Sequence, residues 1–229
     1  MAIEREIKLA VPAGDTGLPS ALADYFGGRA DMRAGAPQHL INRYFDTPDL
    51  RLSQAAAALR LRYVERGGTG RWLQTLKSSG TSAGGLHVRH EWELPLAHGE
   101  LDIAALLEVC DAPGIAATLR GIAAELRPLF ETNFHRQIWT LSHVGAPLEI
   151  ALDQGEITVE RDGVSHRDPL CELELELASQ DASGEAALQA VAADLRQRFP
   201  GLHPDDTSKA ERGYRLRQHV LHNALNQRG

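Results

Sequence analysis

The chain has 229 residues, with 24 Lys plus Arg against 31 Asp plus Glu and a formal net charge of −7. At roughly 150 residues per domain the length fits one large β domain, and the acidic balance argues against broad duplex binding through counterion release, so any polyanion must find a local basic pocket. A composition of 43% apolar and 24% charged residues excludes disordered and collagenous classes, and no apolar run approaches the ~18 residues of a membrane span.

Period-two alternation dominates the pattern. Residues 3–9 predict a strand with Glu4, Glu6 and Lys8 on one face and Ile3, Ile7 and Leu9 on the other. A helix is expected over 18–26, then strands over 38–46, 58–66, 71–77 and 86–94, with Gly67-Gly68 as a turn. Within these, Arg60 and Arg62 oppose Leu59, Leu61 and Tyr63, while Arg89, Glu91 and Glu93 oppose Val88, Trp92 and Leu94. Amphipathic helices over 100–109 and 114–126 divide near Pro113. Strands follow over 129–141, 147–153 and 156–161, the last two separated by a turn at Gln154-Gly155, and another strand follows the Asp162-Gly163 turn. That strand, 171–177, sets Glu172, Glu174 and Glu176 against Cys171 and three leucines. A helix over 184–199, capped by Ser183 and stopped at Pro200-Gly201, precedes a terminal helix over 208–223 that tolerates Gly213. Many short antiparallel strands with few long helices suggest a sheet that closes on itself.

A single Glu-x-Glu strand is ordinarily a solvated face. Here both signs recur at like spacing on several strands, with Glu149, Asp153 and Arg136 adding to the set. Faced inward, these strands would line a wet lumen with opposite charges, because dry pairing in that number would be costly. Paired carboxylates supply hard oxygen ligands for Mg²⁺ or Mn²⁺, and converging Arg and Lys match phosphate oxygens. A site that needs both is a metal–polyphosphate site. The cations also divide unevenly, 21 Arg against Lys8, Lys77 and Lys209. Those three lysines are either chance survivors of a compositional bias or places that require a compact ammonium.

The ordered set Glu4-x-Glu6-x-Lys8, Tyr44-Phe45-Asp46-Thr47-Pro48, Leu59-Arg60-Leu61-Arg62, Thr75-Leu76-Lys77, the Arg89/Glu91 strand, Arg136, Asp153, Glu172-x-Glu174-x-Glu176 and Ser208-Lys209 resembles the CYTH domain of the triphosphate tunnel metalloenzymes. All three lysines fall on it. The resemblance implies one domain over 1–229, with its core in about 1–216 and a short C-terminal helical tail. Its fold would be mainly β (α+β), a closed eight-stranded antiparallel β-barrel tunnel with helices packed outside. Lys8, Arg60, Arg62, Lys77, Arg89, Arg136 and Lys209 would bind phosphates, while Glu4, Glu6, Asp153, Glu172, Glu174 and Glu176 would hold Mg²⁺ or Mn²⁺. Lys8, Tyr44 and Lys77 would be the catalytic candidates; Tyr44 either handles a proton with Lys8 or simply packs. Rate enhancement would come from metal and electrostatic stabilisation rather than a covalent intermediate.

Among family activities, inorganic triphosphatase is favoured. The tryptophan that mammalian thiamine triphosphatase carries two residues before its Arg-x-Arg is Ala58 here. Thiamine triphosphatase and class IV adenylate cyclase are the alternatives, and a non-catalytic polyphosphate-binding module with a polyphosphate-associated protein partner is the rival of another class. Neither nucleic acid nor membrane is expected as a partner. The charged N-terminus lacks the apolar core of a signal peptide, and Cys110 and Cys171 form no disulfide framework, so a cytoplasmic location is expected. Gly80-Thr81-Ser82-Ala83-Gly84 matches a nucleophile-elbow pattern but runs into a strand rather than a helix, and reads as a hairpin loop. His87 and His90 point to opposite faces and make a poor metal pair, while Trp72, Trp92 and Trp139 read as core beneath outer helices.

Overall fold

The computed structural model describes residues 2–12, 14–179 and 184–226. The first half holds β1 (Ala2–Ala10), α1 (Leu18–Gly27), β2 (Arg33–Ala34), β3 (Gln38–Asp46), α2 (Arg51–Gln54) and β4 (Ala57–Arg66). Next come β5 (Thr69–Ser78), β6 (Thr81–Ala83), β7 (Leu86–Leu96), α3 (Ile103–Val109) and α4 (Pro113–Ile122). The remainder is β8 (Arg127–His143), β9 (Ala146–Arg161), β10 (Val164–Leu177), α5 (Glu185–Arg198), β11 (His203–Pro204) and α6 (Lys209–Asn226). The antiparallel order β1-β10-β9-β8-β3-β4-β5-β7 returns to β1, which pairs with both β10 and β7. Eight strands therefore close into a barrel, and β2, β6 and β11 are short additions on β8, β7 and β1.

Alternation decides which side of the barrel each residue meets. On the outside, Leu9, Ile150, Leu152, Leu173 and Leu175 pack under Leu22 and Phe26 of α1 and Leu188 and Leu195 of α5. Leu59, Leu76 and Trp92 pack under Leu52 of α2, Leu106 of α3 and Leu119 of α4. Each such side chain is fully buried, worth roughly 1.5–3 kcal/mol relative to exposure. Trp92 and Trp139 lie in these clusters as the alternation predicts, whereas Trp72 stays half-buried, tilted against Tyr63 and close to Gly99.

Two expectations need correction. The turn at Gln154-Gly155 is absent: β9 runs unbroken from Ala146 to Arg161. Gly155 faces Phe134 on one side and Leu170 on the other, and a Cβ there would meet Phe134 at 2.5 Å, so the glycine makes room for a ring rather than a turn. The hairpin loop at Gly80–Gly84 contains a short strand, β6, flanked by glycines with positive φ at 80 and 84. Ser183, read as the cap of α5, lies outside the described residues; Gly184 occupies the N-cap position in the structure.

Helix α6 turns Tyr214 and Val220 onto Phe130, Ile157, Val159 and Tyr44, which share the inward face of their strands. Gly213 permits that approach, since a Cβ would lie 2.0 Å from the Phe130 ring. Ser208 and Glu211 start the helix with a capping box, Glu211 N donating to Ser208 Oγ and Ser208 N to Glu211 Oε2. Asp46, fully buried, accepts from the backbone N–H groups of Thr47, Leu52 and Ser53 and from the Tyr214 hydroxyl. It ties α2 and α6 to the end of β3. No helix of the described residues is long and apolar enough to cross a membrane.

Candidate active site

Residues directly opposite in an antiparallel pair share a face, so the register carries one set of side chains around the barrel. Glu4 faces Arg89, Lys77 faces Glu91, Arg60 faces Thr75, and Tyr44 faces Arg60. On the far side Lys8 faces Glu174, Glu172 faces Asp153, and Asp153 faces Arg136. All of these point inward. They surround a cavity of about 1310 Å³ lined by every predicted site residue except Asp153 and Glu172, which lie in its wall at 0% and 1% exposure.

The charges sort into two networks. In the first, Lys77 Nζ reaches Glu4 at 2.7 Å and Glu91 at 3.3 Å, and Arg89 donates to Glu4 at 2.6 Å and also to Glu6. Arg60 sits 3.6 Å from Glu91 and 3.8 Å from Glu93. Burial would raise the Glu4 carboxyl, but Lys77 and Arg89 hold it well below the usual range; at Glu6 burial outweighs Arg89 and the pKa rises. In the second network Lys209 Nζ contacts Asp153 and Glu174, each at 2.7 Å, and also Glu172. Arg136 clamps Asp153 through two hydrogen bonds of 2.7 Å and touches Glu174 at 2.5 Å. Burial disfavours charge on Lys209, yet the three carboxylates raise its pKa well above the usual lysine value. Glu174 is likewise pulled far down by Lys209, Arg136 and Lys8 against burial.

Arg62 belongs to neither network. Its Nε donates to Asn42 Oδ1 at 2.6 Å, Asn42 is fixed in turn by a 2.8 Å bond to Thr132 Oγ1, and no carboxylate of the described residues pairs with it. Burial, then Arg60 and Arg136, push its pKa down to about 10. Nearby, Arg60 Nε is buried with no hydrogen-bond partner. A pair of inward guanidiniums with unspent donors is arranged to receive an anion. Asn42 and Thr132 escaped the sequence reading, although parity with Tyr44 and Arg136 places both inward.

The structure brings Asp153, Glu172 and Glu174 together: one carboxylate oxygen from each lies within 4.8 Å of the others. Glu172 Oε2 is buried without a partner. Three hard oxygen donors with an unspent lone-pair face fit Mg²⁺ or Mn²⁺. Glu4 and Glu6 stand outside this trio, engaged by Lys77 and Arg89. Lys8 Nζ donates to Thr207 O at 3.0 Å and lies 3.4 Å from Glu172, while the Tyr44 ring stacks on Phe130 with centroids 4.6 Å apart; both face the cavity.

Glu176, inward beside Glu6 and Glu149, is pushed up to about 8 by burial, then by Glu4 and Glu6. A carboxyl whose pKa rises on folding contributes stability that is complete below its ordinary pKa of 4.5 and lost as pH climbs through about 8. In EDTA, Glu176→Gln is therefore expected to melt close to the unsubstituted protein near pH 5, increasingly above it as the pH rises towards 8, and by a constant margin beyond that. A melting difference that stays constant from pH 5 to 9 would refute this.

The CYTH domain family matches residues 2–214. The inorganic triphosphatase of Haemophilus influenzae is 30% identical over 220 residues, covering 94% of this chain but 55% of that protein, so the chain spans about half the length of the curated relative it matches. A proposed adenylyl cyclase from Hippeastrum, described as having dominant triphosphatase activity, superposes with a TM-score of 0.57 at 18% identity, covering 92% of this chain and 95% of that one. A Pyrococcus horikoshii protein gives a TM-score of 0.56 at 16% identity, with 90% and 96% covered. At such identities the two structures speak for the fold.

Proposed function

This chain belongs to the CYTH domain family, and from that premise we propose that it hydrolyses inorganic tripolyphosphate to pyrophosphate and phosphate with Mg²⁺ or Mn²⁺. The observation that carries the reading is the pair of inward guanidiniums, Arg60 with its buried Nε unbonded and Arg62 with no carboxylate partner among the described residues, beside the Asp153–Glu172–Glu174 carboxylates. An anion receptor beside a hard-cation site suits a metal polyphosphate and little else. The Haemophilus relative bears the name inorganic triphosphatase. Ala58, inward opposite Lys77, offers a methyl group where a stacked thiamine or base would need a ring.

In this reading Asp153, Glu172 and Glu174 hold the divalent ion, which when bound neutralises phosphate charge and polarises the phosphoryl oxygens. Arg60 and Arg62 grip non-bridging oxygens and fix the orientation of the chain of phosphates. Asn42 aims the Arg62 guanidinium, and Thr132 aims Asn42. Lys8, Lys77, Arg89, Arg136 and Lys209 supply further donors to the charge that develops on the leaving pyrophosphate. The carboxylates now paired with those cations keep them in place and charged before substrate arrives.

Purified protein should release phosphate from tripolyphosphate in the presence of Mg²⁺ or Mn²⁺ and lose that activity in excess EDTA, with ATP and thiamine triphosphate turned over more slowly. Full activity in EDTA, or faster turnover of either organic triphosphate, would overturn the assignment. Phosphate-free binding of tripolyphosphate without any turnover would instead identify a binding module.

A further inference from the structure

The other candidate phosphate-binding cations ride on barrel strands; Lys209 heads a helix. Its place above Asp153, Glu172 and Glu174 therefore depends on how the segment 205–208 is held. Asp205 N donates to Lys8 O at 3.1 Å and Gly85 N to Asp206 Oδ1 at 2.6 Å, so the segment is laced to β1 and to the start of β7. Two side chains from the barrel wall join that lacing: Lys8, whose Nζ donates to Thr207 O at 3.0 Å, and His87. His87, 2% exposed and inward on β7 opposite Glu6, places Nε2 2.8 Å from Asp205 O and Nδ1 2.7 Å from Ser82 Oγ.

The chemistry of the two contacts fixes the ring. A carbonyl oxygen only accepts, so Nε2 carries the hydrogen, and in the neutral imidazole Nδ1 is then left to accept from the Ser82 hydroxyl. Ser82 thus selects the tautomer that lets His87 hold Asp205. Ser82 and His87 come from the two sequence patterns that lacked a catalytic context, the glycine-flanked serine and the paired histidines, and here they meet.

We propose that His87, oriented by Ser82, is a positioning residue that sets Lys209 in the phosphate site by holding the Asp205 carbonyl. This rests on the reading of Lys209 as a phosphate-binding residue. Neither His87 nor Ser82 acts on substrate; the effect passes through the segment 205–208 to the first turn of α6.

The test uses His87→Leu, which removes both hydrogen bonds, His87→Gln, whose amide N–H can still reach the Asp205 carbonyl, and Ser82→Ala. Each is made alone and with Lys209→Ala. Tripolyphosphate binding is measured by calorimetry with Mg²⁺ present, alongside amide hydrogen exchange over 205–212. His87→Leu should weaken binding about 10-fold, equivalent to about 1.4 kcal/mol, and speed exchange at 205–209. Ser82→Ala should do so more weakly, and His87→Gln should restore most of the loss. With Lys209→Ala present, His87→Leu should add less than about a two-fold change, because coupled residues act as a unit. An equal loss in the Lys209→Ala background, or a His87→Gln variant as impaired as His87→Leu, would overturn the proposal. Failure of the unsubstituted protein to bind tripolyphosphate would count against the functional reading, and exchange at 205–209 unchanged in His87→Leu would count against the positioning role itself.

Discussion

Replacing Lys209 by alanine is expected to cost about 3–5 kcal/mol of folding stability in metal-free buffer, the range found when one partner is removed from a buried ion pair. Lys209 is 7% exposed and contacts three carboxylates, of which Asp153 and Glu172 have no access to water to speak of. Arg136 remains on Asp153 and Glu174, and Lys8 remains 3.4 Å from Glu172, which favours the lower end of the range. The informative part is the rescue. If the trio is a divalent-cation site, millimolar Mg²⁺ or Mn²⁺ should raise the melting temperature of Lys209→Ala more than that of the unsubstituted protein, since the ion no longer competes with an ammonium. Ligand binding at about 100 times its Kd is worth roughly 2.7 kcal/mol. Equal metal-induced shifts in the two proteins would remove the trio as the metal site, whatever the assays of activity give.

The second large effect concerns Arg62 and has two signs. Arg62→Met should weaken tripolyphosphate binding about 30-fold, roughly 2 kcal/mol and at the lower bound for truncating a buried charge partner. The same change should raise the melting temperature of the ligand-free protein. The folded-state pKa of about 10 lies below the ordinary 12.5, so the cost of burying this cation is complete at every pH below about 10 and fades only as pH rises through that value. Loss of the hydrogen bond to Asn42, about 1 kcal/mol, offsets part of the gain. A site that holds charge in readiness for substrate gives up stability to do so. Arg62→Met that melts lower and binds normally would show that the guanidinium is structural.

Parity made much of this legible. Glu4, Glu6 and Lys8 alternate with Ile7 and Leu9, and the register turns every such set inward without exception among the strands of the barrel. What period two does not contain is stagger. Which carboxylate meets which cation depends on how far each strand slides past its neighbour when the sheet closes, and no local pattern encodes that. Hence Glu4 and Glu6 lie with Lys77 and Arg89, while Lys209 arrives among Asp153, Glu172 and Glu174 from a helix 35 or more residues further on. Gly155 misled for a related reason: its role is set by Phe134 across the ladder, a contact invisible along the chain. Asn42 and Thr132 were readable from parity but carry no charge, so attention to charged residues passed over them.

Closure through β1 also fixes an order of events in time. Residues 2–10 must wait for β7 on one side and for residues 172–176 on the other, the latter made only when most of the chain has left the ribosome. Pairing across so long a loop is entropically late and kinetically slow. Until then the edge of β1 that receives β10 is open, and the alternating charges of Glu4, Glu6 and Lys8 discourage it from joining a strand of another chain. The pairing of β1 with β10 is thus the one that brings Lys8 to Glu172 and Glu174, whereas the Glu4–Lys77–Arg89 network needs only the pairings of β1, β5 and β7.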